Sequence, residues 1–233
     1  MSELRGIEMP HLARVALPDP EVASACRIQE ALDDLARYAR TFTAAGEMLS
    51  FAHQRAGAHE AQFKGDASAL AAERRNLLIE WQHIAVREGA MTLLHIVETM
   101  SRIGASLAEC PTLSVSTDHS KLLAANKRFR LAFPGFRPMT PDADDPTLSA
   151  SEKPGQISFS QSYSAELLQF HSSRNNVFRF GQNMKYIAKA PGSDNDASYT
   201  LDSKAVYELR GIATTYAEIF ADAVEKLGPK SPA

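Results

Sequence analysis

Cysteine is scarce in this chain: Cys26 and Cys110 are the only two among 233 residues. They fall in separate expected elements, with no CxxC pair and no Cys/His spacing of the zinc kind. Neither a disulfide framework nor a structural zinc site is expected, and both cysteines read as reduced thiols. Long apolar runs are missing as well. No stretch of about 18 apolar residues occurs, so a membrane-spanning helix is not expected. Met1 to Pro20 carries charges and prolines without an apolar h-region, which argues against a cleaved secretion signal and for a cytoplasmic setting. Charge of either sign is not in large excess. The formal charge of -3 gives no general attraction to nucleic acid or anionic lipid. Glycine-rich signatures are absent too: there is no GxxxxGK[ST] loop, no GxGxxG turn and no GxSxG elbow, nor is there an HExxH helix. No cofactor is expected.

What the chain does have is a globular composition, 44% hydrophobic, and enough length to bury a substantial core. Its most organised stretch runs from about Ala67 to Glu109 and reads as one long helix carrying the single tryptophan, Trp81. At about 100° per residue, Leu78, Ala85, Val86, Leu93, Ile96, Val97, Met100, Ile103 and Leu107 fall within an arc of roughly 120°, as expected of a core-facing stripe. The opposite arc is mixed. Glu80, His83, Arg87, His95, Glu98 and Arg102 share it with Leu77, Ile84, Met91 and Leu94. So many large apolar residues predict that this side is also partly covered, with its charges answered by partners.

From Glu21 the chain repeats Ile28, Leu35, Phe42 and Leu49 every seven residues, with Ala25, Leu32, Ala39 and Gly46 at the companion positions. This predicts a first long helix, begun at Pro20 with Asp19 as cap, packed antiparallel on the second across a turn near Lys64, Gly65 and Asp66. Gly46, Gly57 and the poorly apolar stretch His53 to Glu60 predict a kink or fraying. The arm before it, with Leu12, Val15 and Leu17, is expected to be extended and to pack on a neighbour. Pro111 ends the second helix and a polar loop follows. Asp118 then caps a shorter helix to about Phe133, with Leu122, Leu123, Phe129 and Phe133 as its apolar contacts. Pro134 to Gln156 reads as a proline-rich acidic loop. Ala165 to Phe170 is compatible with a helical turn, and Asn176 to Lys189 with short strands around Gly181, Gln182 and Asn183. A last strand-like piece, Ala197 to Leu201, precedes a helix from Asp202 or Ser203 to Leu227, ended by Gly228 and Pro229. The expected fold is mainly α: an antiparallel helical bundle with long N-terminal helices and a small β-hairpin subdomain. It forms a single helical domain, 1–233, with 134–202 as a loop and hairpin insertion.

Candidate chemistry lies on the mixed face. Glu80 and His83 form an ExxH, and His95 with Glu98 its reverse. Di-iron bundles use such pairs, but they need two ExxH motifs on different helices and two further glutamates. Glu80 and Glu98 also lie roughly 27 Å apart along the axis, too far to share one ion. No metal site is expected, with Glu80 and His83 as the only weak ligand candidates. Arg87 beside Glu88, with His83 and His95 on the same strip, could hold an anion and move a proton. The plainer reading pairs Arg87 with Glu80 or with a carboxylate on another helix. Binding candidates are therefore Glu80, Arg87, Glu88 and Glu98, and catalytic candidates Arg87, His83 and His95. Phe178, Arg179 and Phe180 with Lys185 and Tyr186 could stack bases, although a packed strand face explains them more simply.

The run from Trp81 through His83, Arg87, Glu88 and Gly89 to His95, followed by Cys110-Pro111-Thr112 and by Phe129 to Phe136, resembles uncharacterised helical proteins of alphaproteobacteria. Those proteins look in turn like distant relatives of HEPN domains. The likeness spans about Glu73 to Phe136 and part of the last helix. It implies a bundle that dimerises and, in some members, cleaves RNA. The HEPN ribonucleases place four to six residues between an arginine and a histidine on one helical face. Here Arg5 and His11 meet that spacing only in the proline-bearing arm, Arg55 and His59 are too close, and Arg174 leads to Arg179 and Phe180. After Phe133-Pro134-Gly135-Phe136 stands the acidic loop. These departures favour a non-catalytic interaction module, homodimeric through the seam of the first helix or the mixed face of the second. The alternatives are HEPN-like RNA cleavage or binding, with Arg87 and His83 or His95 in place of the motif, and a metal-binding bundle.

Overall fold

A computed structural model of the chain describes residues 7–12, 15–63, 68–133, 136 and 201–228, together with the backbone of five short segments between 159 and 200. It is mainly helical: α1 (Asp19–Gln62), α2 (Ala69–Ala108), α3 (Pro111–Ser116), α4 (His119–Ala132) and α5 (Ser203–Leu227). The chain divides into two compact units, Met1–Ala132 with Leu201–Ala233, and Phe133–Thr200. No described helix is long and apolar enough to cross a membrane.

The first unit is built on the α1/α2 pair. Contacts run antiparallel along it, from Arg27 with Glu109 through Asp34 with Arg102 and Tyr38 with His95 to Phe51 with Trp81. The sevenfold pattern of α1 supplies the seam, since Ile28, Leu35 and Phe42 are wholly buried and Leu49 nearly so. The α2 stripe faces it through Ala85, Val86, Leu93, Ile96 and Ile103. Helix α1 starts one residue earlier than Pro20 suggests: Pro18 is the cap and Asp19 already lies in the first turn. It does not break at Gly46 or Gly57. Its 44 residues form one continuous helix, because Ala52 and the seam above it still bury against a partner even where His53, Gln54 and Arg55 face water. The expected turn at residues 64–66 lies outside the described residues.

Helix α5 packs along α1 in the opposite direction. Its start lies at Gly46, where an added Cβ would sit 3.0 Å from Val206 Cγ2. Its end lies by α3, where Lys226 Nζ donates to the Ser116 carbonyl at 3.0 Å. Gly46 therefore makes room for α5 rather than for α2. Asp202 caps α5 by accepting from Ala205 N at 2.8 Å, and Gly228 ends it at φ 73°, the left-handed region that suits glycine. Leu209, Ile212, Ala213, Tyr216, Ile219 and Phe220 are buried as their helical spacing predicts. Helix α4 lies antiparallel on α5 through Lys121 with Asp222, Asn126 with Tyr216 and Arg128 with Glu208. Asp118 caps α4, accepting from the side chain of Ser120 and from Ser120 N and Lys121 N. Of the apolar residues expected inward on α4, Leu123 is instead 70% exposed.

Two further expectations are corrected. The arm folds back on its own chain rather than on a neighbour: Leu12 and Val15 are buried, and Leu12 N donates to Gln29 Oε1 at 2.8 Å. The polar loop after Pro111 contains the short helix α3, which the sequence hides because six residues carry too little periodicity to register.

In the second unit the backbone passes through β1 (Phe159–Ser164), β2 (Leu167–Ser172), β3 (Val177–Phe180), β4 (Lys185–Lys189) and β5 (Asp196–Thr200), each paired antiparallel with the next in chain order. Leu167 to Phe170 is thus extended, not a helical turn. The proline-rich loop lies outside the described residues.

Candidate functional site

The mixed face of α2 is a continuous surface, since α2 runs unbroken past Gly89. Its two halves meet different surroundings. In the C-terminal half, α1 answers the charges. Asp34 accepts from Arg102 Nη2 and from Arg37 Nη2, each at 2.6 Å. The His95 ring stacks on Tyr38 with centroids 5.2 Å apart and 14° between planes. His95 Nδ1 lies 3.7 Å from a Glu98 carboxylate oxygen, and Arg37 sits over the Tyr38 ring, 5.0 Å from its centroid. These groups are half-exposed, so the ion pairs contribute little, on the order of 0–1 kcal/mol each. Sequence reasoning missed Asp34 and Tyr38, although their four-residue spacing, flanking Leu35, places them together at the edge of the seam.

In the N-terminal half nothing on α1 covers the face. Glu80, Arg87 and Glu88 are exposed. The expected pairing of Arg87 with Glu80 or with a carboxylate on another helix is not made; among the described residues, neither Arg87 nor Glu80 has a hydrogen-bond or ion-pair partner, and water solvates both. His83 is half-buried, with its Nδ1 shielded and unpartnered. Of the three catalytic candidates, then, His95 is engaged with Tyr38 and Glu98, while His83 and Arg87 belong to the other half of the face. The apolar residues here are equally uncovered: Leu70 is 58% exposed, Leu77 52% and Ile84 41%. Across the helix pair, Trp81 stacks on the exposed Phe51 ring at 6.1 Å, and Arg55 lies over the Phe51 ring at 5.3 Å.

A second polar cluster ties the base of the bundle. Glu21 accepts from Cys110 Sγ at 3.1 Å, Thr112 N at 3.0 Å and Thr112 Oγ1 at 2.9 Å. Desolvation works against the Glu21 charge, but these three donors outweigh it and hold the carboxyl below its ordinary value. Burial, then Glu21, pushes the Cys110 thiol up to about 11. It is therefore protonated at neutral pH and no nucleophile. Beside it, Arg27 pairs with Glu109 and donates to Ser24 Oγ at 2.8 Å. This cluster anchors the start of α1 to the α2/α3 corner. Among the described residues, no three His, Cys, Asp or Glu side chains come together in a way that could hold a metal ion.

Comparison of the chain with protein-family models, with curated proteins and with solved structures returns no match. The functional reading therefore rests on this face.

Proposed function

We propose that this chain is a non-catalytic helical-bundle interaction module of the cytoplasm that self-associates as a homodimer through the N-terminal half of the mixed α2 face. The single observation that carries the reading is the uncovered apolar stripe Leu70, Leu77, Ile84. It follows from length. Helix α5, with 25 residues, covers about 37 Å of α1, whereas α1 itself, with 44 residues, runs about 66 Å. Past Gly46, among the described residues of the first unit, α1 packs on α2, and a pair of helices buries one side of each. Large apolar residues on the remaining sides are what an interface leaves on an isolated subunit. The other surface offered from the sequence, the α1 seam, is consumed inside the chain, with Ile28, Leu35 and Phe42 at 0% exposure.

In this reading the chain is one helical domain carrying residues 134–202 as an insertion. The insertion includes a small β-hairpin subdomain, supported by the antiparallel register of Val177 with Lys189 and Phe180 with Tyr186.

Light scattering on the purified chain at tens of micromolar tests the proposal. A mass of two chains is expected, and a single-chain mass overturns it. HEPN-like RNA cleavage is the competing reading, favoured by one observation: Arg87 stands exposed one turn from the unpartnered Nδ1 of His83. Incubation with structured and unstructured RNA beside Arg87→Ala separates the two. Cleavage that vanishes in the variant would replace the interaction reading with an enzyme.

A further inference from the structure

Resting on the self-association proposed above, we infer that its interface is shared by both helices of the hairpin. The exposed Phe51 of α1 and the Trp81 stacked on it join Leu77 and Ile84 in one face, and a second copy of this chain covers that face.

Trp81 follows Leu77 by four residues and precedes Ile84 by three, so the three side chains are neighbours on the surface of α2. Trp81 carries the stripe across to α1, where its ring stacks on Phe51 with 6.1 Å between centroids and 26° between planes. The stack does not bury either ring. Phe51 stays 46% exposed and Trp81 is half-buried. The apolar surface therefore extends from Leu70, Leu77 and Ile84 through Trp81 onto the neighbouring helix, and it does not end at the edge of α2. At the exposures of Leu70, Leu77, Ile84 and Phe51 it amounts to on the order of 300 Å², a size at which a patch on an isolated subunit is often an interface.

The rim indicates what covers it. Arg55 lies over the Phe51 ring, and Glu73, Arg74, Glu80, Arg87 and Glu88 flank the α2 stripe, all of them exposed. Glu73, Glu80 and Arg87 stand three residues after a stripe member and Arg74 and Glu88 four after, so each flank carries both signs. A rim of balanced, interleaved charge does not select a strongly acidic or a strongly basic partner. A second copy brings the same mixture and meets opposite charges in either orientation. Two such faces placed together put four helices round one core, which gives each helix of the hairpin a second neighbour. Trp and Arg, both present here, are residue types in which interface binding energy concentrates.

The test reads the only tryptophan of the full chain. Diluting the protein from a two-chain to a one-chain mass should shift Trp81 emission to longer wavelength, because dissociation returns water to the indole. Where dilution does not reach the one-chain state, Leu77→Glu should supply it, since the face cannot bury that charge unpaired. Phe51→Ala and Leu77→Ala should each weaken the dimer about tenfold or more in sedimentation. Ile79→Ala should leave its affinity within about twofold of the wild type. Ile79 is also exposed, at 38%, but it lies about 140–160° round α2 from Ile84 and Leu77. Circular dichroism checks that the variants stay helical, and the dilution of wild type needs no variant. A dimer whose tryptophan emission ignores dissociation, or that Ile79→Ala weakens and Phe51→Ala does not, overturns the shared face while leaving self-association standing. A single-chain mass at tens of micromolar removes both.

Discussion

The base of the first unit and its far hairpin are made from the same two helices, yet they differ in what surrounds them. In the base, residues 19–46 of α1 and the C-terminal half of α2 are joined by α3, α4 and α5. In the hairpin, residues 47–62 of α1 pack on the N-terminal half of α2 without α3, α4 or α5. The local sequence is amphipathic in both. What changes is the number of neighbours, and with it the fate of the second apolar face: His95, Glu98 and Arg102 reach residues that answer them, while Leu70, Leu77 and Ile84 face water. A helix that is greasy on two sides therefore does not identify a core helix. It identifies a helix needing two partners, which the same chain need not supply.

The sharpest way to break this comparison is a pair of truncations. Phe42→Ala, at 0% exposure in the base, should cost about 3–5 kcal/mol of unfolding free energy. Phe51→Ala, at 46% exposure in the hairpin, should cost about 1 kcal/mol or less in the monomer. Denaturant melts measure both, and equal losses would mean that the two regions are equally packed.

Next in size is Tyr216→Phe. The Tyr216 hydroxyl donates to Asn126 Oδ1 at 2.6 Å across the α4/α5 contact. Burial raises the phenol's pKa, partly offset by that hydrogen bond. Removing the hydroxyl leaves the amide oxygen without this donor and should cost about 1–2 kcal/mol in the same melts.

Glu21 gives the base an acid sensitivity of its own. Its folded pKa lies below the ordinary carboxylate value. Its contribution is therefore complete above that value and is lost as pH falls through the folded one. Stability measured from about pH 6 down to pH 3 should fall less steeply in Glu21→Gln than in the wild type. Parallel slopes would show that the three donors do not favour the charged form.

The smallest effect is chemical and leaves stability untouched. At pH 8 iodoacetamide should alkylate the exposed Cys26 in the native protein and spare the buried Cys110, whose thiol is pushed up to about 11. Mass spectrometry before and after denaturation reads one adduct, then two.

Much of the helical layout was legible because it is written in short-range chemistry. The sevenfold repeat at Ile28, Leu35, Phe42 and Leu49 marks the seam, Asp118 and Asp202 mark helix starts, and Gly228 marks an end. Each of these is a local rule about spacing or backbone hydrogen bonding. Helix α3 escaped notice because it is too short to show a period. Gly57 misled because helix continuity in α1 is set by packing against α2 as well as by intrinsic propensity. At the candidate site, the mixed composition of the face was visible from Leu77, Ile84, Arg87 and Glu98, but its division into a covered and an uncovered half was not.

By itself, the sequence determined that α1 and α2 are long amphipathic helices and that α2 carries apolar residues on two sides. Those properties follow from residue order at about 100° per step. Only the tertiary structure decided that α5 begins against Gly46, that Asp34 and Tyr38 answer the C-terminal half of the α2 face, and that Leu70, Leu77 and Ile84 are left to the solvent. Burial depends on which distant segments arrive and how far they reach, and no local pattern in α2 encodes the length of α5.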